Sequence, residues 1–455
     1  MNSVFTFFCP LNSFKIFLSG KLDEKSETHK ELKEKGFIGN ISSQQRKRLI
    51  SSYWSKNFSL FQSRPSLHIV VATLRCNLRC VYCQTSSVPL TEKGHDMSLN
   101  TAKQTVDFIF EASGQSLSLE FQGGEPLVNW PAVKFIIEYA RKKSEMEGKN
   151  LEIRLVTNLI LMDQEKLDFL LKNRINICTS LDGPEKVHNK NRPYAQGNSY
   201  KATVNWIKKI RERIKKTRSS SRIFLGSLVT ISKYSLKYPK EIVDEYAKWG
   251  FKSVHLRPLT YLGLASGFEN EIGYSAEEFI GFWKKGIDYI VSINKNGKFF
   301  HEREARIMLQ KILSNIDPNY SDLRSPCGAA VSQLAYDYNG NIYTCDEGRM
   351  LGDDTFLTGN VGKDSYQDII SNNKVKAMLV SSCLDNLSCD YCVYKTYCGV
   401  CPVRNYAYYG NLFPQMNNTD WCRIKTAQFD YLFEKIRDEK TKKIFEKWAR
   451  ETQYG

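Results

Sequence analysis

Short β-rich runs alternate with amphipathic segments between residues 67 and 257, and this alternation constrains the fold more than any other feature of the sequence. Because a strand followed by a helix reaches a parallel neighbour through a right-handed crossover, the pattern predicts a parallel sheet, either open or curled into a barrel. Helices are predicted over 101–112, 132–143, 163–172 and 237–249. Six strands are predicted: LHIVVATL (67–74), SLEF (118–121), EIRLVTN (152–158), INICTSL (175–181), RIFLGSLVTI (222–231) and KSVHLRP (252–258).

Chain length and hydrophobic content limit the classes of protein to which this sequence can belong. The 455 residues have room for roughly three domains, and 42% hydrophobic residues suffice to bury a large core. No apolar run approaches the roughly 18 residues that a membrane span requires. The Phe-rich start is interrupted by Asn, Pro, Ser and Lys and lacks a basic n-region. We therefore expect a cytoplasmic protein that has no membrane partner.

The net charge of +16, from 65 Lys and Arg against 49 Asp and Glu, favours acidic partners such as nucleic acid, anionic lipid or an acidic peptide. The basic residues are spread over amphipathic segments such as WIKKIRERIKKTRSSSR at 206–222. Because this pattern is typical of a solvated helix face, we do not expect nucleic acid to be a partner.

Thirteen cysteines are unevenly distributed along the chain. An odd number in a chain without an export signal argues against a disulfide framework and favours metal or redox use. Two metal regions are therefore predicted, while Cys9 and Cys178 stand apart. The first group is Cys76, Cys80 and Cys83, and the second is Cys327, Cys345, Cys383, Cys389, Cys392, Cys398, Cys401 and Cys422.

The motif CNLRCVYC at 76–83 directly follows the first predicted strand. Structural zinc requires four ligands, and only His95 follows nearby. Three thiolates suit a [4Fe–4S] cluster, because three cysteines hold three irons and leave the fourth iron open to a substrate or cofactor. The motif FQGGEP at 121–126 follows the second strand, where two glycines allow close backbone approach and Glu125 is placed to receive a cationic group. A turn with a capping acid is the alternative for this motif.

The cysteine loop, GGEP, VTN at 156–158 and SLDGPEKVHNKNRP at 180–193 together resemble the radical S-adenosylmethionine (SAM) enzymes, in particular the peptide-modifying branch. The resemblance implies a partial (β/α)6 barrel, a SAM-binding [4Fe–4S] cluster on Cys76, Cys80 and Cys83, and SAM as cofactor. It also implies one-electron cleavage of SAM to a 5′-deoxyadenosyl radical that abstracts hydrogen from the substrate. The remaining SAM contacts that it implies are Tyr82 at the adenine, Gly123, Gly124 and Glu125 at the methionine amino group, Asn158, Ser180 and Asp182 at the ribose or methionine end, and Arg192 at the methionine carboxylate.

The C-terminal cysteines are spaced C-x12-G-x4-C from Cys327 to Cys345 and C-x2-C-x5-C-x2-C from Cys389 to Cys401, with Cys422 last. This resembles the SPASM extension, which implies two auxiliary [4Fe–4S] clusters; two four-cysteine zinc sites are the alternative. The resemblance assigns Cys327, Cys345 and Cys401 to the first auxiliary cluster. It assigns Cys389, Cys392, Cys398 and Cys422 to the second.

The chain departs from the SPASM pattern at one spacing. Two residues separate Cys398 from Cys401 where the family has three, which leaves open whether Cys401 or Cys383 ligates the first cluster. Asp346 follows Cys345, at the position where anaerobic sulfatase maturases have a base toward the substrate. We therefore expect Asp346 to be catalytic, with a surface turn acid as the alternative reading.

The expected fold is thus α/β, a partial (β/α)6 radical SAM barrel with a small N-terminal α/β extension and a C-terminal Cys-rich SPASM domain. In the extension, FKIFL reads as extended, and KLDEKSETHKELKEKGFI (21–38) and SSQQRKRLISSYW (42–54) read as helices. This arrangement resembles leader-binding elements of peptide maturases, while a cap packed on the barrel is the alternative. The expected boundaries are 1–65 for the extension, 66–270 for the barrel, 271–320 for a helical linker, 321–425 for the SPASM domain and 426–455 for a C-terminal helix.

At finer grain, runs such as HLRPL and QLAYDYNGNIYTCDEGRML resemble the His-Xaa-Ser system radical SAM maturases. That resemblance implies a ribosomal precursor peptide as substrate, an electron donor such as a flavodoxin or ferredoxin, and a paired radical SAM protein. Two other functions stay open: a sulfatase-type maturase that forms formylglycine, and a basic zinc protein that binds nucleic acid.

Overall fold

The computed structural model describes residues 11–34, 38, 64–216, 223–314 and 317–451. Its N-terminal region contains two helices, α1 (Leu11–Leu18) and α2 (Glu27–Glu34). The extended conformation predicted for FKIFL is wrong, because these residues lie in α1, where Phe14 and Phe17 pack side by side at a spacing of one turn. The first predicted helix is shorter than expected: Ser26 accepts a hydrogen bond from the His29 N–H at its start. The second, at 42–54, lies outside the described residues.

Nine strands form one sheet in the described part of the chain, in the order β13-β12-β11-β1-β4-β5-β6-β7-β9. From β1 to β9 the neighbours are parallel, so the six predicted strands and their parallel pairing are confirmed. The strands are β1 Leu67–Val71, β2 Arg75–Cys76, β3 Val88–Pro89, β4 Ser116–Gln122, β5 Asn150–Val156, β6 Asn176–Ser180, β7 Leu225–Thr230, β8 Ser253–Val254, β9 Leu256–Arg257, β10 His301–Glu302, β11 Gln333–Tyr336, β12 Asn341–Tyr343 and β13 Leu357–Asn360.

Helices cover the crossovers between the strands and continue through the C-terminal half. Phe108, Ile137 and Ile207 on three of them are fully or almost fully buried against the sheet. The helices are α3 Leu99–Ala112, α4 Trp130–Glu147, α5 Gln164–Lys172, α6 Glu185–Asn191, α7 Ser199–Lys216, α8 Pro239–Lys248, α9 Glu269–Ile272, α10 Ala276–Lys295, α11 Arg303–Leu313, α12 Asp346–Met350, α13 Tyr366–Ser371, α14 Asn373–Ser382, α15 Pro402–Tyr409, α16 Asp420–Lys435 and α17 Glu439–Arg450.

The carboxyl ends of β1, β4, β5 and β6 meet at one edge of the sheet. Val71 pairs with Gln122, and Val156 pairs with Cys178. The loops that follow these strands carry the cysteine motif, GGEP, VTN and the SLDGP segment. Because α/β proteins bind ligands at this edge, the topology brings the predicted site residues together.

The sheet continues from the barrel into the Cys-rich region. Strand β11 pairs in parallel with the other side of β1, and β12 and β13 follow antiparallel. The end of β12 leads directly to Cys345. One continuous sheet therefore fixes a cysteine of the second group relative to the barrel.

The C-terminal segment differs from the single predicted helix over 426–455. Helix α16 ends at Lys435, and α17 begins after Asp438, whose side chain accepts the Thr441 N–H at the start of the new helix. Both helices pack on the linker helices; Trp283 of α10, for example, meets the ring of Tyr431 edge-on at 5.7 Å between centroids. None of the described helices is long and apolar enough to span a membrane.

Candidate active site at the carboxyl edge of the barrel

The cysteine loop after β1 is held by the last residue of α6 and the residues that follow it. The Arg79 N–H donates to the Pro193 carbonyl at 3.1 Å, and the Val81 N–H donates to the Asn191 carbonyl at 2.9 Å. Within the loop, the Cys83 N–H donates to the carbonyl of Cys80. These backbone hydrogen bonds fix the cysteine loop against the SLDGPEKVHNKNRP segment. The two segments are far apart in the sequence.

The thiols of Cys76, Cys80 and Cys83 lie close enough to influence one another electrostatically. Burial is the main reason why the pKa of Cys80 is raised to about 12 and that of Cys76 higher still. Asn158 Nδ2 lies 3.9 Å from the Cys76 sulfur, and Ser87 Oγ lies 3.2 Å from the Cys83 sulfur. Thiols that resist ionisation when buried become thiolates on binding a cationic metal centre, so the set suits a metal cluster.

The two glycines of GGEP pack their backbone directly on the start of the cysteine loop. A Cβ at Gly124 would lie 2.4 Å from the Arg75 carbonyl oxygen, and one at Gly123 would lie 2.5 Å from that of Thr73. Gly123 also has φ +121°, which other residues rarely adopt. The glycines are therefore required by the close approach of two loops at the predicted SAM site.

The Glu125 carboxylate is engaged within the chain. Its Oε1 accepts hydrogen bonds from the Leu127 N–H at 3.0 Å and the Thr157 hydroxyl at 2.7 Å, and Oε2 accepts from the Asn158 N–H at 2.8 Å. Burial raises its pKa to about 6 although these bonds oppose the rise. Glu125 thereby ties the GGEP loop to the VTN loop.

Tyr82, Asp182 and Arg192 form a buried cluster beside Cys80. The Tyr82 hydroxyl and the Arg192 Nε both donate to Asp182 Oδ2, the second at 3.1 Å, and Arg192 Nη1 lies 3.7 Å from the Cys80 sulfur. Among the described residues, Asp182 Oδ1 and Asn77 Nδ2 have no partner although both are buried. Such orphaned polar atoms beside a glycine cradle fit a polar ligand such as SAM. Ser180 lies half-buried at the end of β6.

The thiols of Cys327, Cys345 and Cys401 form the first C-terminal set. They pack in one apolar cluster with Met350 and interact electrostatically. Cys401 lies immediately before α15 and packs against this cluster. Cys383 is not part of this cluster, and its thiol donates to the Leu379 carbonyl at 3.3 Å.

The second C-terminal set surrounds a cavity. It consists of Cys389, Cys392, Cys398 and Cys422, which line this cavity together with Leu384, Trp421 and Lys425. The thiols interact electrostatically, and burial raises the pKa of Cys398 to about 12. In the part of the chain that the structure describes, no three His, Cys, Asp or Glu side chains are placed to hold a single metal ion.

Asp346 is buried and directly follows Cys345 of the first C-terminal set. Its Oδ1 accepts a hydrogen bond from Arg349 Nε at 2.9 Å, and its charge acts on Glu120 of strand β4. Asp346 is therefore a paired, buried acid, and the alternative of an exposed turn acid is wrong.

The barrel interior holds polar side chains that sequence motifs did not single out. Glu120 and Arg154 stand opposite each other on β4 and β5, with 4.0 Å between Arg154 Nη1 and Glu120 Oε2, and half-buried Cys178 lies on β6. Burial raises the pKa of Cys178 to about 12 and that of Glu120 above its usual range. Polar residues occur at every second position of most of SLSLEFQ and NLEIRLV. This alternation indicates that one face of β4 and β5 lines a polar interior.

A parallel sheet with a three-cysteine loop and a Gly-Gly-Glu loop at its carboxyl edge is the arrangement expected of a SAM-dependent iron–sulfur protein. Residues 70–234 match the family model of the Radical SAM superfamily. This match implies one [4Fe–4S] cluster and SAM as cofactors.

Three curated relatives illustrate the likeness. An uncharacterized protein of Methanocaldococcus jannaschii is 27% identical over 186 residues, 41% of this chain and 60% of that protein. The radical SAM cyclopropyl synthase TigE of Paramaledivibacter caminithermalis is 21% identical over 69% of this chain and 66% of its own length. The cysteine-type anaerobic sulfatase-maturating enzyme of Clostridium perfringens is 25% identical over 73% and 87%. For the first two, the match spans less than two thirds of the relative.

Two solved structures share the fold. Native anSMEcpe with bound AdoMet and Kp18Cys peptide superposes with a TM-score of 0.67 at 19% identity, over 83% of this chain and 100% of that chain. Streptococcus suis SuiB bound to precursor peptide SuiA superposes with a TM-score of 0.52 at 14% identity, over 80% and 78%. The predicted α/β radical SAM fold with a Cys-rich C-terminal region is confirmed.

Proposed function

We propose that the protein is a radical SAM peptide maturase, which removes a hydrogen atom from a residue of a ribosomally made precursor peptide. The observation that carries the proposal is the position of Asp346, which is buried directly after Cys345 of the first C-terminal set, just beyond a strand of the sheet that the barrel shares. A substrate residue inside the barrel would therefore lie between the SAM edge and the first C-terminal set.

We assign the SAM-binding [4Fe–4S] cluster to Cys76, Cys80 and Cys83, and SAM to the surfaces of Gly123, Gly124, Asn158, Ser180, Asp182, Arg192 and Tyr82. When bound, the cluster and SAM supply the one-electron chemistry that generates a 5′-deoxyadenosyl radical. The chain orients these groups: the Glu125 carboxylate fixes the loop of Asn158, and Arg192 holds Asp182 and Tyr82 beside Cys80.

We assign two auxiliary [4Fe–4S] clusters to the C-terminal thiol sets. Three thiols and apolar packing at Cys327, Cys345 and Cys401 support the first assignment, and four thiols around one cavity support the second. The hydrogen bond from Cys383 to a helix carbonyl favours Cys401 over Cys383 as the ligand of the first cluster.

A peptide substrate is supported by two structural relatives that are solved with bound peptides. SuiB is solved with a precursor peptide, and anSMEcpe is solved with the Kp18Cys peptide. The net charge of +16 suits an acidic leader segment. A flavodoxin or ferredoxin as electron donor, a paired radical SAM protein and membership of the His-Xaa-Ser system remain predictions.

The peptide function is tested with a panel of synthetic peptides, each of which carries one uniformly deuterated residue. The anaerobically reconstituted protein is incubated with SAM, dithionite and each peptide, and 5′-deoxyadenosine is analysed by mass spectrometry. Transfer of deuterium into 5′-deoxyadenosine from at least one peptide is expected. SAM cleavage without deuterium transfer from any peptide would overturn the peptide assignment but not the radical chemistry.

A sulfatase-type maturase is the second candidate, because the Clostridium perfringens enzyme aligns over 73% of this chain. This function requires oxidation of a Cys or Ser side chain to formylglycine. A synthetic peptide with one cysteine separates the candidates: formation of a hydrazine-reactive aldehyde would favour the sulfatase-type function, and its absence would favour another peptide modification.

Replacing Asp346 with Asn is expected to leave SAM cleavage intact and to lower product formation by about 10²–10⁴-fold, because a general base would be lost. The measurement is the ratio of 5′-deoxyadenosine to modified peptide. Asp337→Asn is the matched control, because Asp337 is also buried and its charge, like that of Asp346, helps to raise the pKa of Arg349. Unchanged product formation in Asp346→Asn would show that Asp346 is not the base.

A further inference from the structure

A buried lysine lies in the wall of the second C-terminal thiol cavity. Lys425 follows Cys422 by one turn of α16, and its side chain is 1% exposed. It lines the same cavity as Cys389, Cys398 and Cys422. A full positive charge therefore lies beside a set of four thiols, with little water around it.

Three groups hold the ammonium of Lys425 in place. Its Nζ donates to the Glu304 carboxylate and, at 3.1 Å, to Gln428 Oε1, while Gln428 Nε2 donates to the other Glu304 oxygen at 3.3 Å. The Nζ also lies 4.2 Å from the centre of the Trp421 ring. Glu304 comes from α11, so the lysine is fixed between two helices.

The desolvation cost of this buried ion pair indicates that it serves a purpose other than stability. Transferring two charges into a protein interior costs several kcal/mol for each ion, and apolar replacements of such pairs are often neutral or stabilising. A cation that pairs with a carboxylate on α11 and lines a cavity with four thiols is useful where those thiols become negative. Four thiolates around an iron–sulfur cluster would supply that negative charge.

We propose that Lys425 is a positioning residue that stabilises the reduced form of the cluster held by Cys389, Cys392, Cys398 and Cys422, and so raises its reduction potential. This inference rests on the proposed function, in which these thiols hold a [4Fe–4S] cluster. Reduction adds one electron to an already anionic cluster, and a fixed cation in a low-dielectric environment favours the more negative form. Charge and hydrogen bonding near a cluster are known determinants of its potential.

The test is an EPR-monitored redox titration of the anaerobically reconstituted protein in three variants. Lys425→Met is expected to lower the reduced-to-oxidised ratio of this cluster at least about tenfold at the wild-type midpoint, a shift of 59 mV for a one-electron couple. Lys425→Arg keeps the charge and is expected to stay near the wild-type midpoint. Lys435→Met is the matched control, because Lys435 lies on the same helix and pairs with Asp288 away from the cavity.

An unchanged midpoint in Lys425→Met, with the cluster present, would overturn the inference and leave the proposed function standing. Absence of iron from this thiol set in the wild-type protein would instead overturn the cluster assignment. If Lys425→Met fails to fold because Glu304 is left uncompensated, the double variant Lys425→Met with Glu304→Gln removes both charges. A smaller downward shift is then expected, because loss of the more distant carboxylate partly offsets loss of the cation that lines the cavity.

Discussion

Replacing Cys80 with alanine is expected to reduce SAM cleavage below detection and to lower the iron content from about twelve to about eight per chain. Cys80 is central to the loop, because its carbonyl accepts the Cys83 N–H and its sulfur faces Arg192. Loss of one of three thiolates removes the open-iron cluster, whereas the C-terminal thiol sets lie in separate parts of the fold. Iron analysis, EPR and a 5′-deoxyadenosine assay measure the effect.

Cys383→Ala is the control for this substitution, since Cys383 lies outside the three thiol sets and bonds a helix carbonyl. It should retain both SAM cleavage and the full iron content. Loss of all iron in Cys80→Ala would contradict three separate cluster sites, and loss of iron in Cys383→Ala would reassign Cys383 as a ligand.

Replacing Gly124 with alanine is expected to lower the free energy of unfolding by about 1–3 kcal/mol and to weaken SAM binding at least about tenfold. The new Cβ would lie 2.4 Å from the Arg75 carbonyl oxygen and 2.5 Å from that of Leu74, so the two loops must separate. Both loops belong to the proposed SAM site. Thermal unfolding and equilibrium dialysis of SAM with the reconstituted protein measure the two effects.

Gly114→Ala is the matched control, because a Cβ at Gly114 meets nothing within 4 Å and neither glycine has a positive φ. We expect its stability and SAM affinity to stay near the wild-type values. Equal SAM affinity in Gly124→Ala and wild type would contradict the assignment of this loop contact to the cofactor site.

The barrel could be predicted from sequence because hydrophobic periodicity reports directly on strand and helix packing. The predicted strands LHIVVATL and INICTSL, for example, contain β1 and β6, and the motifs that follow them meet at one edge because parallel strands end together. FKIFL was predicted incorrectly, since a short apolar run fits either a strand or a helix.

The partners of individual side chains could not be predicted, because they depend on contacts between distant segments. The sequence predicts a ligand contact for the acid of GGEP, but it does not reveal the hydrogen bonds that Glu125 accepts from the Thr157 hydroxyl and the Asn158 N–H. The contact between Lys425 and Glu304 likewise joins two residues that are 121 positions apart in the sequence. No local spacing encodes such a pair.

The most direct test of the account is the measurement of iron, acid-labile sulfide and zinc per chain in anaerobically purified protein, with reductant-dependent formation of 5′-deoxyadenosine from SAM in the same sample. The account predicts about twelve irons with matching sulfide and release of 5′-deoxyadenosine. Zinc without SAM cleavage, after anaerobic reconstitution has also failed, would contradict it and favour a basic zinc protein.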